Sequence, residues 1–144
     1  MADLKFSVSA HSENPTKTVV EARSFKLIVD EPKNLGGTDA GPNPVEYVLA
    51  ALAGCLNVVG HLVAKEMGFV LRGIKLELEG DLDPSKFMGM ATQERAGYKE
   101  VRVVLNPDAD ADKATLDKWV AAVEKRCPVS DNITNMTPVK IALK

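Results

Sequence analysis

The sequence is short of the residues that ordinarily build metal and phosphate sites. Its 144 residues include two cysteines and two histidines. There is no CxxC pair, and no Gly-Lys-Ser/Thr follows Gly36-Gly37, so a phosphate-cradling loop is not indicated. Cys55 and Cys127 lie far apart in the chain, and His61, six residues after Cys55, falls on another face of any helix that carries both. Zinc ligands at the usual spacings are missing, so we expect no metal and no cofactor. A net charge of −2 removes the basic surface on which nucleic-acid binding rests. The opening "MADLKFSVSA" has no basic stretch followed by an apolar run, so no secretory signal is expected. Two cysteines without such a signal point to a reducing cytoplasm. There a thiol pair is more often catalytic, redox-active or metal-binding than a static staple.

Repeats, low-complexity tracts and interdomain linkers are absent too. The length suits one domain, 1–144, with a sizeable core. Alternation predicts strands over 4–10, 17–22 and 25–30, with the polar "HSENP" (11–15) turning between the first two to give an antiparallel meander. A loop rich in Gly, Pro, Asn and Asp follows (31–44), long enough to invite a functional role.

"NPVEYVLAALAGCLNVVGHLVAKEMG" (43–68) then reads as a helix. Asn43 is a candidate N-cap, Pro44 fits the first helical position, Glu46 completes a near capping box, and Gly68 ends the run. The helix is apolar almost all round, which predicts burial on most sides. Asn57, His61 and two glycines, with no second apolar segment, favour a buried central helix over a membrane span. Strands are expected over 73–82 and 100–107, joined by an irregular stretch over 84–100. A helix over 111–127 presents Leu116, Trp119, Val120 and Val123 on one face, and a short helix after Cys127 leads to a last strand over 138–144. The class is α+β.

Both cysteines stand in unusual places. In "KRCPVSDN" (125–132) Pro128 suits the start of a helix, which makes Cys127 its N-cap, facing unpaired N–H groups and the positive end of the helix dipole. That setting favours thiolate. A small buried hydrophobe before an ordinary helix is the competing reading. Cys55 lies inside the apolar helix after Gly54, a glycine that suggests a close approach by some neighbour, with Cys55 as site residue or as filler.

"VDEPKNLGGTDAGPNPVEYVLAALAGCLN" and "EKRCPVSDNI" resemble the OsmC/Ohr family of thiol-dependent peroxidases. The first stretch is similar to that family's Gly-rich loop and cysteine-bearing helix, the second to its Cys-Pro element. The resemblance covers most of the chain. It implies antiparallel sheets around a long buried helix in an intertwined homodimer, with active sites between subunits. It also implies reduction of a hydroperoxide by Cys55 (peroxidatic), resolution by Cys127 through a disulfide, and recycling by a dithiol of the lipoyl type. The two cysteines should then come within disulfide reach. Apolar side chains such as Leu52, Leu56 and Val59 should line the substrate pocket and favour bulky organic hydroperoxides over hydrogen peroxide.

The sequence departs from the family where an arginine and a glutamate activate the first cysteine. The glutamate's usual position, ten residues before that cysteine, is Val45 here; Glu46 is nine before. Glu46 serves the site from a shifted register or only caps the helix, and both readings stand. Arg23 is the arginine candidate, against a solvated edge residue. Arg126 adjoins Cys127, while Arg95 and Arg102 match no family motif. The rival function is a redox-sensing or small-ligand-binding dimer with little turnover. A disulfide-stabilised structural domain is disfavoured without a secretion signal.

Overall fold

The computed structural model describes all residues, Met1–Lys144. They form two compact units, Met1–Val48 and Leu49–Lys144.

The first unit is an antiparallel three-stranded meander, β1 (Ser9–Ser12), β2 (Thr18–Ala22) and β3 (Phe25–Val29). The β1–β2 turn is built on Asn14, whose side-chain oxygen accepts from the backbone N–H groups of Thr16 and Lys17 at 2.9 and 2.7 Å. The strand expected over 4–10 starts only at Ser9. The register pairs Ser9 with Glu21, and β2 ends one residue later, so 4–8 have no strand to pair with. Leu4, Phe6 and Val8 are exposed.

The Gly-rich loop is tied to one buried carboxylate. Asp30 accepts from the backbone N–H groups of Glu31, Thr38 and Ala40 at 2.8, 3.2 and 3.1 Å, and from the Thr38 hydroxyl. The Thr38 hydroxyl does most to hold the carboxyl well below the usual range, against the opposing effect of burial. The loop folds back so closely that a Cβ on Gly37 would lie 1.8 Å from the Glu31 carbonyl oxygen. Asn and Gly content alone suggests an open loop; Asp30 makes it an ordered one.

Helix α1 (Pro44–Met67) has the predicted capping box. The Asn43 N–H donates to Glu46 Oε2 at 2.8 Å, and the Glu46 N–H donates to Asn43 Oδ1 at 2.9 Å. It ends where the N–H groups of Gly68 and Phe69 return to the Lys65 and Ala64 carbonyls. α1 is long and apolar enough to cross a membrane. Its part within the second unit packs one face into that unit's core.

In the second unit β4 (Leu71–Asp81) pairs antiparallel with β5 (Glu100–Ala109), followed by α2 (Lys113–Arg126) and α3 (Pro128–Thr134). The core joins Leu52, Leu56, Val59 and Val63 of α1 to Trp119, Val123 and Cys127. Burying Val63 and Val123 contributes about 1.5–3 kcal/mol each.

Within one chain α1 buries one side, leaving Val58 and Leu62 at 66% and 46% exposure. Two expectations need correction. Gly54 has nothing within 4 Å of the Cβ it lacks; the glycine approached closely is Gly60, where that atom would lie 3.1 Å from Trp119 Cζ2. The last strand, 138–144, does not form. It pairs with neither β4 nor β5, so its backbone groups are left to water, and Val139, Ile141 and Leu143 stand exposed.

Candidate active site

The boundary between α2 and α3 sets Cys127. It is the one residue between the two helices and has extended backbone, with φ −78° and ψ 111°. Pro128 takes the first helical position, where its missing N–H costs no hydrogen bond. The Ser130 backbone N–H donates to Cys127 Sγ at 3.4 Å, so the sulfur is the side-chain cap that the sequence predicts. Cys127 is buried.

Cys55 comes from α1 and is half-buried; both cysteines are free thiols. The Cys55 sulfur lies beside the Cys127 thiol and the Val129 backbone N–H. Burial has the largest effect and pushes the Cys55 thiol up. Cys127 pushes the same way, and the Val129 N–H partly opposes. No cation is among the groups acting on it.

Three arginines of the second unit, Arg72, Arg102 and Arg126, have other partners. Arg126 makes a two-pronged bond with Glu66, its Nη2 donating to Oε1 at 3.1 Å. Arg102 is shared by Glu79, Asp81 and Glu100 at 2.6–2.7 Å, and Arg72 by Asp108 and Asp110. In the first unit Arg23 occupies the β2–β3 turn with φ 56°, its guanidinium carbon 5.0 Å from the centre of the Phe25 ring. Glu46 is engaged in the capping box.

A cavity of about 430 Å³ opens within the second unit, in the range of about 300–1,000 Å³ usual for small ligands. Leu52 and Leu56 line it from α1, Val101 and Val103 from β5, and Val120 from α2. Leu52 and Leu56 belong to the core as well, and Val59 packs there without lining this cavity. The polar side chains at the cavity, Glu124, Ser130 and Thr134, went unrecognised in the sequence. The helical spacing of Val120, Val123 and Glu124 was the available signal, but it does not reveal where packing leaves a gap.

A family model described as OsmC-like protein matches residues 37–142. The chain belongs to the OsmC-like protein family. Over 133 residues it is 29% identical to the uncharacterized protein YmaD of Bacillus subtilis (strain 168), covering 90% of this chain and 87% of that protein. Among solved structures, an OsmC-like protein from Mycoplasma pneumoniae superposes with a TM-score of 0.80 at 19% identity, covering 92% of this chain and 89% of that one. An organic hydroperoxide resistance protein OsmC from Legionella pneumophila gives 0.66 at 24% identity, covering 92% and 91%. The mixed α+β fold with antiparallel sheets is that of OsmC-like proteins.

Proposed function

We propose that this OsmC-like chain is a cysteine-dependent peroxidase that reduces organic hydroperoxides to alcohols. One observation carries the reading: two free thiols, from α1 and from the α2–α3 boundary, lie side by side. The organic hydroperoxide resistance protein from Legionella pneumophila, which shares the fold, supports the substrate class.

In the proposed cycle the Cys55 thiolate attacks a peroxide oxygen and the O–O bond breaks. The departing alkoxide takes up a proton and leaves as the alcohol, while Cys55, oxidised by two electrons, becomes a sulfenic acid. The Cys127 thiolate then attacks that sulfur. The S–S bond forms, the S–O bond breaks, and hydroxide leaves as water after gaining a proton. An external dithiol, of the lipoyl type, reduces the disulfide and is oxidised in turn.

We further propose that the working form is a homodimer. Ala51, Gly54, Val58 and Leu62 form an exposed small and apolar stripe along α1, and a second copy covers it. The exposed alternating segments 4–8 and 139–143 support the same reading.

Turnover of cumene hydroperoxide with excess dihydrolipoamide tests the function: wild type consumes peroxide over many cycles, and Cys55→Ser consumes none. A second reading, a redox sensor, draws on the absence of any cation acting on Cys55. A sensor oxidises once per chain and stops despite excess dithiol.

A further inference from the structure

We propose that Cys55 and Cys127 together also capture monosubstituted trivalent organoarsenicals, RAs(OH)2, as a two-pronged thiol trap. The trap shares its thiols with the peroxidase reading but needs no turnover.

Cys55 packs against the core cluster that contains Cys127, and both are free thiols. No third histidine, cysteine, aspartate or glutamate joins them to make a larger donor set. Two sulfurs alone leave a four-coordinate zinc ion half-ligated. They suit a soft centre that needs two ligands more. Trivalent arsenic that already carries one carbon is such a centre.

The capture balances without an oxidant or a base. Burial does most to push the Cys55 thiol up, and no cation acts on it. An As–OH group brings the oxygen that removes the thiol proton, so the S–H of Cys55 and one As–OH give an S–As bond and water. Cys127 reacts in the same way at the second As–OH. Two S–As bonds form, two As–O and two S–H bonds break, and two waters leave. Arsenic stays trivalent and neither sulfur is oxidised.

The two thiols differ in access. Cys127 is 1% exposed, whereas Cys55 is only partly buried. A single-point thiol reagent therefore meets Cys55 first. Arsenic fixed on Cys55 presents its second position to Cys127 at high effective concentration, worth about a hundredfold in retention.

The test treats reduced protein with one equivalent of phenylarsine oxide, which hydrates to the dihydroxide, in excess 2-mercaptoethanol. Intact mass and peptide mapping are the readouts. Wild type gains one phenylarsenic group and loses two hydrogens, with arsenic bridging the Cys55 and Cys127 peptides. The chelating 2,3-dimercaptopropanol removes it where 2-mercaptoethanol does not. Cys55→Ser and Cys127→Ser, shown to be folded by circular dichroism, each retain it about a hundredfold more weakly. Wild type that carries no arsenic, an adduct on one cysteine alone, or equal retention by either folded variant each overturns the proposal. The wild-type peptide map decides even where a variant fails to fold. Capture by a protein that turns over no hydroperoxide leaves the trap standing and removes the peroxidase reading; turnover without capture does the reverse.

Discussion

The indole N–H of Trp119 donates to the Gly60 carbonyl at 2.8 Å, with the whole Trp119 side chain removed from solvent. This bond joins α2 to α1 next to the core that holds Cys127, and Gly60 leaves the room for it: Ile74 Cδ1 would be 2.8 Å from a Cβ there. The Phe69 ring meets Trp119 edge-on at 6.4 Å. The α1–α2 contact thus lies in the same core cluster as Cys127.

Trp119→Phe keeps an aromatic ring but removes the donor and some volume. Chemical denaturation should show a loss of about 1–3 kcal/mol. An unchanged midpoint would show that the indole bond contributes nothing.

Glu46 separates capping from catalysis. Its carboxylate and Asn43 satisfy each other's backbone N–H groups. Glu46→Ala should lower stability by about 0.5–2 kcal/mol through loss of the cap, with hydroperoxide consumption per folded molecule preserved. A large fall in kcat with an unchanged melting temperature would place the carboxylate in the chemistry instead.

Stability should decline at both ends of the pH scale. The Asp30 carboxyl is depressed by its Thr38, Ala40 and Glu31 hydrogen bonds, so its contribution is complete above the ordinary carboxylate pKa and lost as pH falls toward the folded value. The Cys55 thiol is raised, chiefly by burial, so its contribution is complete below the ordinary thiol pKa and lost as pH rises through the folded value. Thermal melts across pH should show both limbs. Asp30→Asn should flatten the acid limb and Cys55→Ser the alkaline one. The rate of the first oxidation should still be climbing with pH where an ordinary thiol has levelled off, since thiolate is the attacking form.

Much of this was legible in the sequence because local chemistry decides it. The Asn43–Glu46 box, Pro128 behind Cys127 and the alternation of 73–82 each act over a few residues, and each element formed within two or three residues of its expected bounds. The failures concern partners. "PVKIALK" alternates like a strand, but alternation does not supply a neighbouring strand, and none in this chain pairs with it. Gly54 drew notice because it precedes Cys55, yet Gly60 is the close contact, since only the packing of α2 decides which glycine is approached. The nearness of Cys55 to Cys127 came from resemblance, because 71 intervening residues leave no local trace of it. Asp30 is one carboxylate among several in its stretch, and its burial depends on how the loop closes over it.

The central claim is that Cys55 and Cys127 form one redox unit. Intact-mass analysis of wild type treated with one equivalent of cumene hydroperoxide, without reductant, tests it most directly. The account predicts one equivalent of alcohol and a protein lighter by two hydrogen atoms, with peptide mapping that links Cys55 to Cys127. Cys127→Ser under the same treatment should instead carry a sulfenic acid on Cys55 that dimedone traps. Two thiols still titratable in wild type, with the hydroperoxide unconsumed, would contradict it.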